Sequence, residues 1–297
     1  MSLKLAVVGY GNLGKSLEKE IAKQSDLELV AIYSRRQLEH TKYRPLDEIA
    51  HYHDCDVALL ALGSYGDILQ YADCFAHLDT VDSFDTHAKI AEYKAYLNAT
   101  KPHRISIIST GWDPGLLSLV RAVFSVGADR CSTLWGKGVS QGHSNAVRSI
   151  DGVIDAVQFT IPKQNALQLV RQGETDSKKL HDRICYVACN KSDEQRIRSE
   201  IVSMENYFLG YDTEVNFCTA AEVARLKQQT EHRGQVVTIG EGFETHSEVS
   251  LDCNPDYTAK IMLAYAKAVP HLRADGLTGA LDVFDVPMKY LSTKELL

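Results

Sequence analysis

The chain opens with a strand, a glycine-rich turn and a helix, and this order restricts its fold more than any other feature of the sequence. Residues 3–8 are a short apolar run, and GYGNLG follows at 9–14 with its glycines in GxGxxG spacing. Apolar residues at helical spacing predict a helix over 15–23, and LELVAIY from residue 27 predicts a second strand. In this context the glycines let backbone approach a pyrophosphate, which the helix N-terminus binds through its N–H groups. The alternative is a turn that needs glycine for packing alone, but the position of this turn at the N-terminus favours a dinucleotide site.

The residues after the second strand indicate which dinucleotide is bound. An acidic residue about twenty positions past the last glycine would hold the ribose 2′-hydroxyl of NAD. This stretch instead reads Ser34, Arg35 and Arg36, with no carboxylate among them. Guanidinium groups bind phosphate oxygens in a forked geometry, which suits the 2′-phosphate of NADP(H). We therefore predict NADP as the cofactor, the alternative being an exposed basic turn.

Strands and helices continue to alternate up to residue 115. Apolar runs at 57–62, 80–81 and 105–108 are typical of further buried strands, with helical stretches between them. This pattern predicts an α/β fold, a Rossmann doubly wound parallel sheet whose ligands bind beyond the carboxyl ends of the strands.

A different pattern follows residue 115 and predicts a second domain. STLWGKGVSQGHSNAVR reads as a strand, a glycine-rich loop and a helix with Ser144 as its N-cap. DAVQFTIP, RICYVAC and EVNFCT alternate like strands of an antiparallel sheet, and GQVVTIGEG with ETHSEVSLD reads as a hairpin. We expect an α+β substrate and dimerisation domain with a mixed or antiparallel sheet over 119–254. The NADP-binding domain then spans 1–118 and is completed by 255–297.

Two aspartates follow predicted strands of the first domain and are the candidate catalytic residues. Asp85 lies in VDSFDTH, and Asp113 lies beside Trp112 in STGWDPG. Both positions are just past carboxyl ends of strands, at the edge where the nicotinamide of a dinucleotide is expected. Because Asp113 precedes Pro114, a helix N-cap is the strong alternative for this residue.

Composition excludes several classes of function. The net charge of -7 argues against nucleic acid or an anionic membrane surface as a partner, because no basic run offsets it. The N-terminus lacks the pattern of a signal peptide. The seven cysteines contain no CxxC pair, and the histidines form no HExxH motif. We expect reduced thiols, a cytoplasmic protein and no metal site.

Several stretches together resemble the meso-diaminopimelate dehydrogenase family, over nearly the whole chain. These stretches are GYGNLG, YSRR, TVDSFDTH, STGWDPG, LWGKGVSQGHSNAVR, YFLGYDTEVNF and LDCNPDYTA. The glycine pattern is shared by many dehydrogenases, whereas STGWDPG with WGKGVSQGH is far more specific. The resemblance implies NADP-dependent oxidative deamination of the D-centre of meso-2,6-diaminopimelate, with release of ammonia, by a homodimer.

The resemblance also implies roles for individual residues. Asp85 and Asp113 surround the reacting amino group, with Asp113 the first candidate for the general base, Asp85 the second, and water as a further proton carrier. The implied substrate contacts are Trp112, Trp135, Gln141, Gly142, Thr160, Arg183, His232 and Asn254. The predicted cofactor contacts are Gly9, Tyr10, Gly11, Asn12, Leu13, Gly14, Ser34, Arg35, Arg36, Gly63, Ser64, Ser83, Phe84, Asp85, Thr110, Gly111, Trp112, Asp113 and Pro114. By the same resemblance, the unreacting L-centre at the far end of the substrate is bound by Thr160, Arg183, His232 and Asn254. Three of these have plainer alternatives: a surface ion pair for Arg183, a turn former for Asn254 and a loop residue for His232.

Two rival functions remain open from sequence. An oxidoreductase of the sugar-dehydrogenase type would carry a lysine-proline pair after its fifth strand, whereas Lys101 and Pro102 precede the 105–108 strand here. An NADPH-binding sensor without turnover would keep GYGNLG and YSRR but would need neither Asp113 nor Arg183.

Overall fold

The computed structural model describes residues 2–52, 54–63, 67–229 and 231–292. Ser64, one of the predicted cofactor contacts, lies outside the described residues. The chain divides into two compact units: Met1–Leu119 with Pro255–Leu297 form the first, and Val120–Asn254 form the second.

The strands and helices, numbered along the chain, are as follows. The strands are β1 (Leu3–Val8), β2 (Leu27–Ser34), β3 (Tyr43–Pro45), β4 (Val57–Leu60), β5 (Thr80–Asp82), β6 (Ile105–Ile107), β7 (Arg130–Trp135), β8 (Gly138–Val139), β9 (Val153–Pro162), β10 (His181–Cys189), β11 (Asp212–Phe217), β12 (His232–Gly240), β13 (Phe243–Leu251) and β14 (Gly279–Leu281). The helices are α1 (Asn12–Ile21), α2 (Asp67–Gln70), α3 (Ile90–Thr100), α4 (Leu116–Phe124), α5 (Gln141–Arg148), α6 (Ala166–Arg171), α7 (Ser177–Leu180), α8 (Glu194–Ser203), α9 (Ala220–Leu226) and α10 (Asn254–Ala274).

A parallel sheet forms the centre of the first unit, which confirms the predicted fold class. Its strand order is β14-β6-β5-β4-β1-β2-β3, and every neighbouring pair is parallel. One face of the sheet packs Val7 and Val81 against Met262 of α10. The other face packs Val8 with Tyr93 of α3. Because helices cover both faces, the central strand β4 is apolar and buried along its whole length. The order of the strands reverses between β1 and β4, which is where such sheets bind nucleotides.

Two smaller sheets form the second unit, and one of them is mixed. In the four-stranded sheet β11-β10-β9-β8, β9 pairs antiparallel with both β8 and β10, whereas β11 is parallel to β10. The prediction that all three alternating runs are antiparallel is therefore wrong. Helix α8 lies between β10 and β11 and carries the chain back along the sheet, so that β11 runs in the same direction as β10. The predicted hairpin is confirmed as β12 and β13, which form a three-stranded antiparallel sheet with β7.

The ends of two helices differ from the predictions. Helix α1 begins at Asn12, inside the glycine turn, rather than at Lys15. Ser144 is not an N-cap: α5 begins at Gln141, Ser140 is its N-cap, and the Ser144 hydroxyl donates to the Ser140 carbonyl at 2.6 Å from within the helix. Among the helices of the described residues, none has the length and apolarity needed to span a lipid bilayer.

Candidate active site

The glycine turn between β1 and α1 has the geometry of a phosphate site. A Cβ added at Gly9, whose φ is +95°, would lie 2.4 Å from the Ala61 carbonyl oxygen, and one at Gly14 would lie 2.1 Å from the Gly9 oxygen. These two glycines are required by close packing. At Gly11, by contrast, no atom of the described chain lies within 4 Å of an added Cβ. Gly11 occupies the N-cap of α1 without a side-chain cap, so the first N–H groups of this helix point to open space that an anion can fill.

The two arginines lie beside this turn. Ser34 is buried at the end of β2, and its hydroxyl accepts a hydrogen bond from the Arg36 amide at 3.1 Å. The Arg36 guanidinium donates to the Tyr10 carbonyl, within the glycine turn, at 3.2 Å. The Arg35 guanidinium carbon lies 5.9 Å from the centre of the Tyr71 ring. Both guanidinium groups are exposed and close to the expected position of a ribose 2′-phosphate.

The loop after β6 is closed tightly on itself and carries Trp112 and Asp113. Gly111 and Gly115 form a β-bridge, and a Cβ on Gly115, whose φ is +135°, would lie 1.7 Å from the Gly111 carbonyl oxygen. Only glycine fits at this position. The loop buries Trp112 to 8% exposure and leaves Asp113 half-buried.

The structure does not bear out the helix-cap alternative for Asp113. Helix α4 begins at Leu116, three residues later, so the capping position is Gly115. Asp85 is exposed, three residues past the end of β5. Because β5 and β6 are neighbouring parallel strands, Asp85 and Asp113 both follow carboxyl ends at the same edge of the sheet.

Lys101 does not occupy the position of a catalytic lysine. It is 4% exposed and donates to the Phe75 carbonyl at 3.3 Å and to the Thr80 hydroxyl at 3.1 Å. Burial lowers its pKa to about 7. It precedes β6, at the amino end of the strand, whereas ligands of parallel sheets bind at the carboxyl ends.

In the second unit, Arg183 and Thr160 are directly opposite each other on β10 and β9. The Arg183 guanidinium donates from Nη1 to the Thr160 hydroxyl at 2.8 Å, and its Cζ lies 4.1 Å from the centre of the Tyr211 ring. Arg183 is 7% exposed, and burial lowers its pKa. Its Nε has no hydrogen-bond partner within the part of the chain that the structure describes. Such a buried, unmatched donor on a guanidinium is typical of an anion site.

Gln158 belongs to the same cluster, and the sequence analysis missed it. Its side chain is fully buried and donates from Nε2 to the Thr160 hydroxyl at 3.3 Å, while its Oε1 has no partner among the described residues. The Thr160 oxygen therefore receives two donors and keeps its own proton to donate. The two-residue period of a strand carried the signal for Gln158. This residue lies two positions before Thr160 and therefore on the same face of β9.

Two buried histidines of the second unit, His181 and His232, are uncharged at neutral pH. The Trp135 amide donates to His181 Nε2 at 2.9 Å, and burial lowers the pKa of His181. His232 begins β12 against Gly138, where an added Cβ would lie 2.8 Å from the imidazole ring. Burial lowers the pKa of His232 to about 4, so at neutral pH it is a neutral hydrogen-bonding group. His181 is a second residue that sequence reasoning did not select.

The remaining predicted contacts lie at the starts of helices. Gln141 and Gly142 are the first two residues of α5, and no described atom lies within 4 Å of a Cβ added at Gly142. Asn254 is the first residue of α10.

His143, in the first turn of α5, bonds to the Ser140 hydroxyl at 2.6 Å, and burial lowers its pKa to about 3. Across the described residues, no group of three or more His, Cys, Asp or Glu side chains is arranged to hold a metal ion.

The parallel sheet, the open glycine turn and the carboxylates past neighbouring strands define a nucleotide-dependent oxidoreductase of the Rossmann class. Residues 111–254 match the family model described as the diaminopimelic acid dehydrogenase C-terminal domain. The meso-diaminopimelate D-dehydrogenase of Corynebacterium glutamicum is 40% identical over 311 residues, which cover 99% of this chain and 97% of that protein. The chain therefore belongs to the meso-diaminopimelate dehydrogenase family.

Solved structures agree with this membership. The Corynebacterium glutamicum enzyme in complex with diaminopimelate superimposes with a TM-score of 0.91 at 38% identity, covering 99% of this chain and 97% of that one. An engineered D-amino acid dehydrogenase bound to NADP+ superimposes with a TM-score of 0.88 at 37% identity, covering 100% and 98%. The predicted family is confirmed.

Proposed function

We propose that this chain is an NADP-dependent meso-2,6-diaminopimelate dehydrogenase. It oxidatively deaminates the D-centre of the substrate to L-2-amino-6-oxopimelate, which cyclises to tetrahydrodipicolinate, and releases ammonia. The reaction is reversible and serves lysine and diaminopimelate biosynthesis. The observation that carries the assignment is the 40% identity over 99% of the chain, which includes both units.

The residues around the glycine turn fit NADP. The open surface at Gly11 and the uncapped N-terminus of α1 would receive the pyrophosphate, and Arg35 and Arg36 would receive the 2′-phosphate. Gly63, Ser83, Phe84 and Thr110 follow β4, β5 and β6 at the carboxyl edge and are assigned to the rest of the dinucleotide. Bound NADP+ supplies the hydride acceptor, while the chain supplies binding, orientation and electrostatics.

Asp113 and Asp85 are assigned to the reacting D-centre. A substrate ammonium needs an anionic partner to fix its orientation, and it must lose a proton before its carbon can be oxidised. Asp113, which is half-buried and follows Trp112 in the chain, is the first candidate for both tasks, and Asp85 is the second. The indole limits access of water and rotation of the substrate.

Residues of the second unit are assigned to the unreacting L-centre. Arg183 binds its carboxylate through donors that include the unmatched Nε, and the Thr160 hydroxyl donates its remaining proton to the same group. Neutral His232 and Asn254 add hydrogen bonds. Trp135 forms part of the wall, and the N–H groups of Gln141 and Gly142 contribute backbone donors at the start of α5.

The decisive experiment incubates the purified protein with NADP+ and a panel of amino acids and polyols while the absorbance of reduced nicotinamide is followed. Turnover is expected with meso-2,6-diaminopimelate, together with stoichiometric release of ammonia. Binding of NADP+ without turnover of any amino acid would favour the sensor, and turnover of a polyol would favour the sugar-dehydrogenase type.

Replacing Arg35 and Arg36 together by alanine should weaken NADP+ far more than NAD+, because only NADP+ carries the 2′-phosphate. Loss of charge-assisted hydrogen bonds should raise the KM for NADP+ by roughly 10-fold or more. The Arg44→Ala variant is the matched control, because Arg44 is an exposed arginine of β3 that packs on Tyr52. Steady-state kinetics with both cofactors test this, and equal losses for NADP+ and NAD+ would contradict the assignment.

A homodimer is the proposed assembly, in the cytoplasm, where the seven free thiols would stay reduced. The second unit exposes Val123 by 66%, Val126 by 80% and Phe243 by 39%. Apolar groups this exposed are typical of a surface that a second copy covers. Sedimentation should give twice the chain mass, and Val126→Asp should shift the protein toward monomer; a wild-type monomer at micromolar concentration would contradict the dimer.

A further inference from the structure

The carboxylate of Asp82 connects two loops that leave neighbouring strands of the first unit. Asp82 is the last residue of β5 and is fully buried. Its Oδ1 accepts the Phe84 amide at 2.9 Å and the Ser109 amide at 3.0 Å. Its Oδ2 accepts the hydroxyl of Tyr93 at 2.9 Å. One oxygen atom therefore joins the loop after β5 to the loop after β6, and the other fixes the rotation of the carboxylate.

The main chain of Asp82 strengthens this connection. Its carbonyl oxygen accepts the Thr110 amide at 2.9 Å and the Thr110 hydroxyl at 2.8 Å. Ser109, between these contacts, has a φ of +59°, which is unusual for a residue other than glycine. Such a backbone conformation persists only where its surroundings hold it, and here the Asp82 carboxylate binds the Ser109 amide.

Both loops carry a proposed catalytic carboxylate. Asp85 directly follows Phe84, and Asp113 lies three residues after Thr110. We propose that Asp82 is a positioning residue, which sets the placement of Asp85 and Asp113 by holding their two loops to a single buried carboxylate. This proposal rests on the proposed function, because it concerns the residues assigned to the D-centre.

The charge of Asp82 costs stability, but the two loops need an acceptor at this position. Burial raises the pKa of Asp82 to about 6, despite the amides and the phenol that stabilise its anion, so the charge is present at neutral pH at a cost. Buried charges are often replaceable by apolar groups without loss of stability. What an apolar residue cannot do is accept the two amides, since each would be left buried without a partner.

Asp82→Ala tests the proposal, with Asp79→Ala as the matched control, because alanine accepts neither amide whereas asparagine would keep an oxygen that accepts both. Asp79 is also buried, precedes the same strand, and accepts the Ile105 amide of β6 at 3.1 Å, but at the amino edge of the sheet. We expect both variants to lower the Tm. Only Asp82→Ala should lower kcat for meso-diaminopimelate, by on the order of 10-fold, because small misplacement of reacting groups is costly. Affinity for adenosine 2′,5′-bisphosphate, the cofactor half bound away from these loops, should be unchanged in both.

Tyr93→Phe provides a second variant if Asp82→Ala does not fold. The ring keeps its stacking on Phe84, with centroids 4.6 Å apart, and loses only the donor to Oδ2. A smaller fall in kcat, of roughly 3-fold, is expected as the carboxylate loses one of its three bonds. Wild-type kcat in Tyr93→Phe and Asp82→Ala, or equal kcat losses in Asp82→Ala and Asp79→Ala, would overturn the proposal.

A double-mutant cycle separates this proposal from the function it rests on. If Asp82 places Asp113 as well as Asp85, the loss of turnover caused by Asp82→Ala should be smaller in the Asp113→Asn background than in the wild type. Additive losses would overturn the proposal. Wild-type turnover in Asp113→Asn would instead refute the role of Asp113. The cycle would then be measured against Asp85→Asn, where non-additive losses would support the role of Asp82 and additive losses would overturn it.

Discussion

Turnover of meso-diaminopimelate should fall roughly 10²–10⁴-fold in Asp113→Asn, the range typical of a lost acid–base group. Asparagine keeps the size and most of the hydrogen bonding of aspartate but removes the charge. Because α4 begins at Leu116, the change removes no helix cap, so the Tm and the affinity for NADP+ should stay near wild type. The measurement is kcat and KM at saturating NADP+, with a thermal melt of each protein.

Asp26→Asn is the control for the change in charge. Asp26 is an exposed carboxylate that pairs with Lys267 at 2.7 Å, ahead of β2 at the amino edge of the sheet. Its variant should have wild-type turnover. If Asp113 orients the ammonium without accepting its proton, the deficit should be smaller and should appear mostly in KM. An Asp113→Asn protein with wild-type kcat and KM would contradict both roles.

Local patterns of sequence predicted the parts of the site that are local in the chain. The glycine turn, the arginine pair and the Trp112–Asp113 loop each depend on residues within a few positions, so their spacing alone carries the signal. The sheet that brings the ends of β5 and β6 together also follows from alternating strands and helices. The prediction of an all-antiparallel sheet in the second unit failed because α8 reverses the chain before β11. Apolar and polar residues alternate in the same way in parallel and antiparallel strands, so the sequence pattern does not reveal the direction of β11.

The residues that the sequence missed depend on pairings between distant segments. Gln158 acquires its meaning only when β9 and β10 pair in the register that places Arg183 opposite Thr160. Tyr211 lies beneath the Arg183 guanidinium although 28 positions separate the two in sequence. Asp82 resembles any polar residue at the end of a strand until its oxygens are seen to accept amides from two loops. Periodicity does not encode such contacts, whereas the register of the folded sheets does.

Replacing Arg183 should have the second large effect, on the binding of substrate rather than on turnover. Arg183→Met keeps the apolar stem and removes the guanidinium. If this group binds the distal carboxylate, the KM for meso-diaminopimelate should rise by the equivalent of about 1.5–3 kcal/mol, roughly 10- to 150-fold, while kcat changes less. The expected change in stability has the opposite sign. The Arg183 Nε is buried with no partner among the described residues, and an unmatched buried donor destabilises the fold, so the methionine variant should melt at the same or a higher temperature.

Arg148→Met distinguishes this binding role from a structural one. Arg148 lies in the same unit, and its guanidinium donates to the Ala156 carbonyl at 2.6 Å and to the Asn145 side chain. Because the chain itself occupies these donors, its loss should lower the Tm and leave the KM for meso-diaminopimelate unchanged. Arg183, with a buried Nε that has no partner among the described residues, should behave in the reverse manner. An Arg183→Met protein with a lower Tm and a wild-type KM would show that the arginine serves the fold, and the carboxylate contact would then have to come from another donor of the second unit.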